Sequence, residues 1–384
     1  MKTTDVSTDV STVPVTEELL RALPKTDLHC HLDGSLRLKT VLELADQQGV
    51  RLPADSVDGL AKAMKIGQRH ASLEEYLKGF DITLSVLQTE EALFRSAYEL
   101  GIDAAAENCR VLEVRYAPVL HLQKGLKPTM VVESVLEGLR AAQRETGIKA
   151  GVLVCGIRNM SPDTSLRLAE LSVAYKNRGV LGFDLAGAEH GNPARDHQEA
   201  FQLILNNNIN CTVHAGEAYG PPSIAQALHY CGAHRIGHGV RLREDGDLLN
   251  YVNDHRIPIE SCPSSNVQTG AVQDFASHPF KFYLDFGIRV TINTDNRLMT
   301  DTTVTKELLL VARQFHLTVK DIRNILIAGF KSAFLTFHDR ALLIRQVQNE
   351  MEEVIERFAS RKNGPAPSKP PPGGKSKPPP AKRA

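Results

Sequence analysis

The chain has six cysteines in 384 residues, and no two of them form a C-x-x-C pair. Cys30, Cys109, Cys155, Cys211, Cys231 and Cys262 stand well apart, several inside apolar runs. That pattern excludes a thiolate zinc site and a disulfide framework, and it predicts buried, reduced thiols in a cytoplasmic protein. An uncharged apolar stretch long enough to cross a bilayer is also missing, so no membrane partner is expected. The first 16 residues are rich in Thr, Ser and Val, without a basic segment leading into an apolar one, so no signal peptide is expected. A basic excess is lacking too. The 45 Lys and Arg balance 45 Asp and Glu, but seven of the basic residues lie in 361–384, which holds no acid. The rest of the chain carries 38 basic against 45 acidic groups. A body of that sign is a poor match for a phosphate backbone, so no nucleic acid is expected.

What is present is a globular composition, 42% hydrophobic and 23% charged, enough for a substantial core. Both ends, 1–16 and 361–384, are expected to be disordered. The second holds eight prolines among lysines, which suits an extended tail with no core. Over 17–360, short apolar runs alternate with helical patterns. Strands are expected at 25–29, 111–117, 150–157, 179–185, 210–214, 235–237, 257–261 and 289–293. Helices separate most of them, for example 129–145, where Val132, Val135, Leu136 and Leu139 recur at helical spacing, and 222–230, which starts on proline. Alternating strand and helix implies an α/β fold with a parallel sheet, and eight units imply closure into a (β/α)8 TIM barrel. About 80 residues separate the first two strands, with helical stretches at 36–47 and 73–89, and such an excursion at a barrel's active rim forms a lid or pocket wall. Leu73, Tyr76, Leu77 and Phe80 share one face there, serving either helix packing or a substrate.

The chemistry sits at strand ends. His29 and His31 close the first strand, and residues two apart on a strand point the same way. His214 closes the fifth, with Glu217 three residues on across Gly216, either a proton donor beside a ligand or a solvated acid at a helix start. His238 closes the sixth between Gly237 and Gly239, which let the backbone turn tightly. His234, four residues before it, could pair with it only on a helix; the glycines oppose one, so His234 reads as structural. Asp295 follows the eighth strand, where a buried carboxylate needs a partner that a metal ion supplies. Three histidines, His29, His31 and His214, with Asp295 suit one Zn²⁺ per chain, a water completing the shell. The fourth strand ends Asp184-Leu185-Ala186-Gly187, without the lysine that could bridge two metals, so a single ion is expected.

These motifs, PKTDLHCHLDG at 24–34, Leu185-Ala186-Gly187, His214-Ala215-Gly216-Glu217, RIGHG at 235–239, Cys262-Pro263 with Ser264-Ser265-Asn266, and Asn293-Thr294-Asp295, resemble those of the adenosine deaminases, metal-dependent amidohydrolases. The resemblance spans roughly residues 17–345. It implies zinc-dependent deamination of adenosine and 2′-deoxyadenosine in purine salvage, with adenine or another 6-aminopurine as the alternative substrate. A non-catalytic adenosine-binding protein would have lost a zinc ligand or Glu217, and none is missing. The resemblance makes His29, His31, His214 and Asp295 the zinc ligands, with His31 and Asp295 also meeting substrate or water. Glu217 would protonate purine N1, while His238 would orient the attacking water and help deprotonate it. The Gly187 backbone would meet N3, Asp33 the ribose 5′-hydroxyl, and Leu73, Tyr76, Leu77 and Phe80 an apolar gate over the base. One residue departs from many relatives. Asn296 stands where they carry an aspartate bonded to N7, and an amide donates at any pH whereas a carboxyl must be protonated.

Overall fold

Eight segments whose side chains are buried almost throughout form the strands: β1 (Lys25–His31), β2 (Cys109–Tyr116), β3 (Lys149–Ile157), β4 (Val180–Ala186), β5 (Asn210–Ala215), β6 (Arg235–His238), β7 (Ile259–Ser261) and β8 (Val290–Ile292). In this computed structural model, which describes residues 13–363, they pair in sequence order, each parallel to the next. Such strands have barrel side chains on one face and helices on the other, so neither face is wet. All eight expected strands are present, with ends shifted by no more than a few residues. The ring closes through a ladder contact between Cys30 and Asp295. There the His31 N–H donates to the Asp295 carbonyl and the Asp295 N–H to the His29 carbonyl, both at 2.7 Å. Backbone of the expected metal ligands therefore makes the closure itself.

Helix α1 (Glu17–Ala22) precedes the barrel, and the Thr16 hydroxyl caps it by accepting the Leu19 N–H. The excursion after β1 holds α2 (Leu38–Gln48), α3 (Val57–Ala63), α4 (Leu73–Leu77), α5 (Phe80–Val86) and α6 (Glu90–Ala106). The single helix expected over 73–89 is thus two. At the junction, Lys78 and Gly79 bond back only three residues, to the Glu75 and Tyr76 carbonyls, a tightened turn that apolar periodicity does not reveal. The outer ring continues with α7 (Pro128–Thr146), α8 (Pro162–Tyr175), α9 (Gln198–Asn206), α10 (Pro221–His229) and α11 (Gly246–Asp254). Proline at the start of α7 and left-handed Gly147 at its end are the start and stop signals such a helix favours. Short α12 (Pro263–Gln268) and α13 (Phe280–Phe286) lie between β7 and β8, and α14 (Val304–Gln314), α15 (Val319–Ser332) and α16 (Phe337–Asn363) complete the chain.

Most of the two termini expected to be disordered, residues 1–12 and 364–384, lies outside the described residues. Within the described part, Val13 is buried and α16 runs to Asn363. Among the described residues, no helix is long and apolar enough to cross a membrane.

Candidate active site

Parallel strands that all point one way bring their carboxyl ends to one rim, and the polar residues singled out in the sequence meet there. His29 and His31 end β1, His214 ends β5, His238 ends β6, and Asp295 follows β8. The Nε2 atoms of His31 and His214 lie 3.1 Å apart, and Asp295 Oδ1 is 3.4 Å from Nε2 of both His29 and His31. Ligand atoms of His29, His214, His238 and Asp295 all fall within 4.8 Å of one another, so five groups converge where the sequence leads one to expect four. His238 and Asp295 have φ of 62° and 58°, a left-handed backbone that costs a non-glycine residue on the order of 1 kcal/mol or more and concentrates at functional sites. Between the histidines space is tight: a Cβ on Gly237 would sit 3.1 Å from His29 Cε1 and His214 Cα.

Hydrogen bonds decide which ring nitrogens are free. His29 Nδ1 donates to Glu260 Oε2 at 2.8 Å, and His214 Nδ1 to Asp184 Oδ2 at 3.1 Å. Each carboxylate takes the Nδ1 proton and leaves Nε2 with a lone pair aimed at the shared point. One guanidinium steadies both acids. Arg115 Nη1 is 3.0 Å from Asp184 Oδ2 and Nη2 is 3.0 Å from Glu260 Oε2, all fully buried. Ser265 Oγ donates to Asp295 Oδ2 at 2.6 Å. Burial, then Arg115 and His214, push the His29 imidazole down to about 4, so it is neutral near pH 7. Burial raises the Asp295 carboxyl, but the imidazoles packed around it outweigh this and its pKa lies well below the usual carboxylate range. His29 Nε2 is buried without a hydrogen-bond partner among the described residues. A buried lone pair of that kind is costly unless something accepts it. These imidazoles and this carboxylate fit a bound divalent cation.

His238 is wired differently. The Phe280 N–H donates to His278 Nδ1 at 3.1 Å, so His278 carries its proton on Nε2. That proton goes to Asn266 Oδ1 at 3.1 Å, and Asn266 Nδ2 donates in turn to His238 Nδ1 at 2.9 Å. With Nδ1 occupied as an acceptor, neutral His238 bears its proton on Nε2, 3.5 Å from Glu217 Oε2. His29 and His214 are therefore better placed than His238 to give a lone pair to a cation.

Glu217 lies in the turn after β5. It is buried, and its Oε1 accepts the Thr269 hydroxyl at 3.0 Å. Burial raises its pKa above the usual carboxylate range, with the Asp295 and Glu189 carboxylates adding to this and the His238 and His214 imidazoles opposing it. The carboxyl faces a cavity of about 320 Å³, also lined by His31, Asp33, Gly187, His214, His238, Asp295 and Asn296, with Leu73, Tyr76, Leu77 and Phe80 on its apolar side. Lining contacts of all four gate residues thus fall on one cavity, while His29 stands behind the wall. Among the described residues no lysine or arginine lines it, and Asp81 lies on it as well. Asp33 Oδ1 is buried without a partner among the described residues. Burial, with the charge of Asp295, pushes Asp33 up to about 7. His234 is structural, its Nδ1 accepting the Cys211 N–H at 3.1 Å.

Sequence reasoning did not assign Arg115, Asp184, Glu189, Glu260, Thr269 or His278. The available signal was charge inside apolar strands: Glu113 and Arg115 in β2 and Glu260 in β7 had to be paired with one another or with the site.

Comparison with known proteins agrees with the geometry. The family model described as adenosine deaminase matches residues 24–350. An adenosine deaminase of Mycobacterium sp. strain JLS is 44% identical over 353 residues, covering 88% of this chain and 97% of that protein. A probable adenosine deaminase of Dictyostelium discoideum is 41% identical over 321 residues, covering 84% of this chain and 42% of that protein. Among solved structures, an adenine deaminase from Arthrobacter aurescens superposes with a TM-score of 0.80 at 25% identity, covering 87% of this chain and 99% of that one. The Arabidopsis N6-mAMP deaminase gives 0.77 at 25%, covering 88% and 99%. With eight parallel strands, a rim of imidazoles and carboxylates, and these relatives over most of its length, the chain belongs to the adenosine deaminase family and is a hydrolase of that family.

Proposed function

We propose that the protein converts adenosine and 2′-deoxyadenosine with water to inosine or 2′-deoxyinosine and ammonia, using one Zn²⁺ per chain held by His29, His31, His214 and Asp295. The observation that carries this reading is the shared cavity: the metal-type cluster and the raised carboxyl of Glu217 open onto the same space. When bound, the cation acts as a Lewis acid that makes water nucleophilic near neutral pH. Everything else falls to side chains. Glu217 gives its proton to N1 and offsets the loss of aromaticity as water adds at C6, a contribution of about 10²–10⁴-fold for such an acid. His238 orients the water through Nε2–H; for it to take a proton there as well, the Asn266 relay must reverse. The Gly187 backbone meets N3, and the Asn296 amide donates to N7. Asp33 accepts the 5′-hydroxyl, and Leu73, Tyr76, Leu77 and Phe80 cover the base.

A lining that holds Asp33 and Asp81 but, among the described residues, no lysine or arginine gives a 5′-phosphate no counter-charge. The six buried, unpaired cysteines support a reducing, cytoplasmic setting, and the product suits purine salvage. Adenine itself is the second reading, supported by the likeness to the Arthrobacter enzyme. Ammonia release from adenosine, 2′-deoxyadenosine, adenine and AMP tests both. Highest kcat/KM for the two nucleosides is expected. A preference for adenine selects the second reading, and comparable values for AMP contradict the charge argument.

A further inference from the structure

Glu189 lies in the loop after β4, two residues beyond Gly187, and is buried. Its carboxylate accepts four successive backbone N–H groups. Oε1 takes that of Gly216 at 2.6 Å, and Oε2 takes those of Glu217, Ala218 and Tyr219 at 3.0, 2.6 and 2.9 Å. An ionised carboxylate has the lone pairs for this many donors, and such charge-assisted bonds are short and strong. The four donors make up the turn between β5 and α10, and without Glu189 their hydrogen bonds would have to be found elsewhere in a largely buried site. The loop holding Glu189 is itself anchored. The Asn192 N–H bonds to the Glu189 carbonyl at 3.3 Å. Arg158 Nη1 donates to the Asn192 carbonyl at 3.0 Å, and its Nη2 donates to the His214 carbonyl.

We propose that Glu189 is a positioning residue for the reaction: its carboxylate fixes the backbone of Glu217 and so sets the spacing between that acid and the cavity wall at Gly187. This rests on the reading of Glu217 as proton donor. A misplacement of about 1 Å costs a reaction on the order of 10²-fold, so the loss falls on turnover more than on capture of substrate. Glu189 also contributes to the raised carboxyl of Glu217. Removing its charge makes Glu217 ionise at lower pH, and the basic limb of the kcat profile moves down with it.

The experiment compares holoenzyme with Glu189→Ala and Glu189→Gln in two measurements. The first is amide hydrogen exchange across residues 210–220. Exchange at 216–219 should be slow in the parent chain, at least about tenfold faster in Glu189→Ala and intermediate in Glu189→Gln. Equal rates in all three overturn the clamp, and this holds whatever the substrate proves to be. The second is steady-state deamination of adenosine across pH. Glu189→Ala is expected to lose about 10²-fold in kcat with KM within about threefold, and both variants shift the basic limb to lower pH. Should Glu189→Ala fail to fold, Glu189→Gln keeps the side-chain shape and supplies both readings. Loosened amides with unchanged kcat and pH profile would overturn the positioning role. A parent chain that releases no ammonia from any aminopurine overturns the donor reading instead, while its exchange rates still decide whether the clamp exists.

Discussion

As the proposed proton donor, Glu217 would act only while protonated, and its burial keeps a proton on it to higher pH than a surface acid could. The sign follows directly: the protonated form donates, so turnover should fall as pH rises through the raised pKa of Glu217. Glu217→Gln keeps the shape and the metal cluster but has no acidic proton. It should retain bound metal and lose about 10²–10⁴-fold in kcat, as metal analysis alongside ammonia release would reveal; near-normal turnover would remove Glu217 from the chemistry. The relay behind His238 makes a separate prediction. Asn266→Asp places an acceptor opposite Nδ1, which moves the His238 proton from Nε2 to Nδ1. Nitrogen NMR should register the tautomer change, with kcat falling more than KM rises. At this scale the sequence was informative where a residue's position on a strand decided its place at the rim. His29, His214, Asp295 and Glu217 were legible because each ends or follows an apolar run. Glu260 and Asp184 were not, because each holds a histidine of another strand, Glu260 of β7 one on β1 and Asp184 of β4 one on neighbouring β5.

Among the elements, the strands were the most legible part of the fold. Burial on both faces turns a parallel strand into a near-continuous apolar run, and the alternation with helices fixed their order. The excursion between β1 and β2 was readable as a wall but not in its joints, since the tightened turn at Lys78–Gly79 leaves the apolar spacing intact. The loop after β1 carries a close fit that no pattern announces. A Cβ on Gly34 would lie 1.9 Å from Asn296 Oδ1, so Gly34→Ala must displace the Asn296 amide from the cavity wall. Because the clash falls on a side chain of the site, KM for adenosine should rise severalfold or more while the thermal midpoint moves little. A variant with parental kinetics would mean that Asn296 does not touch substrate.

Across the whole molecule, one charged network joins the barrel interior to the rim. Arg115 pairs with Asp184 and Glu260, and Glu260 is shared with Arg235, which also pairs with Glu113 at 2.5 Å. Removing one member leaves buried charge unpaired, at a cost of about 3–5 kcal/mol. Arg115→Met should therefore lower stability by that order in denaturant unfolding and weaken metal retention together, because both histidine-orienting acids lose their shared partner. Lost stability with unchanged metal affinity would confine Arg115 to the core. Eight-fold closure was foreseeable from the count of strands, whereas this network depends on which strands become neighbours once the ring has formed.

The most direct test of the account is a metal titration. Chain stripped by a chelator and dialysed free of it would receive zinc in small steps, with ammonia release from adenosine followed after each. Activity absent at the start, rising in proportion and levelling at one equivalent per chain is the predicted result. Full activity in the stripped chain, or a plateau only at two equivalents, would contradict a single ion held by His29, His31, His214 and Asp295.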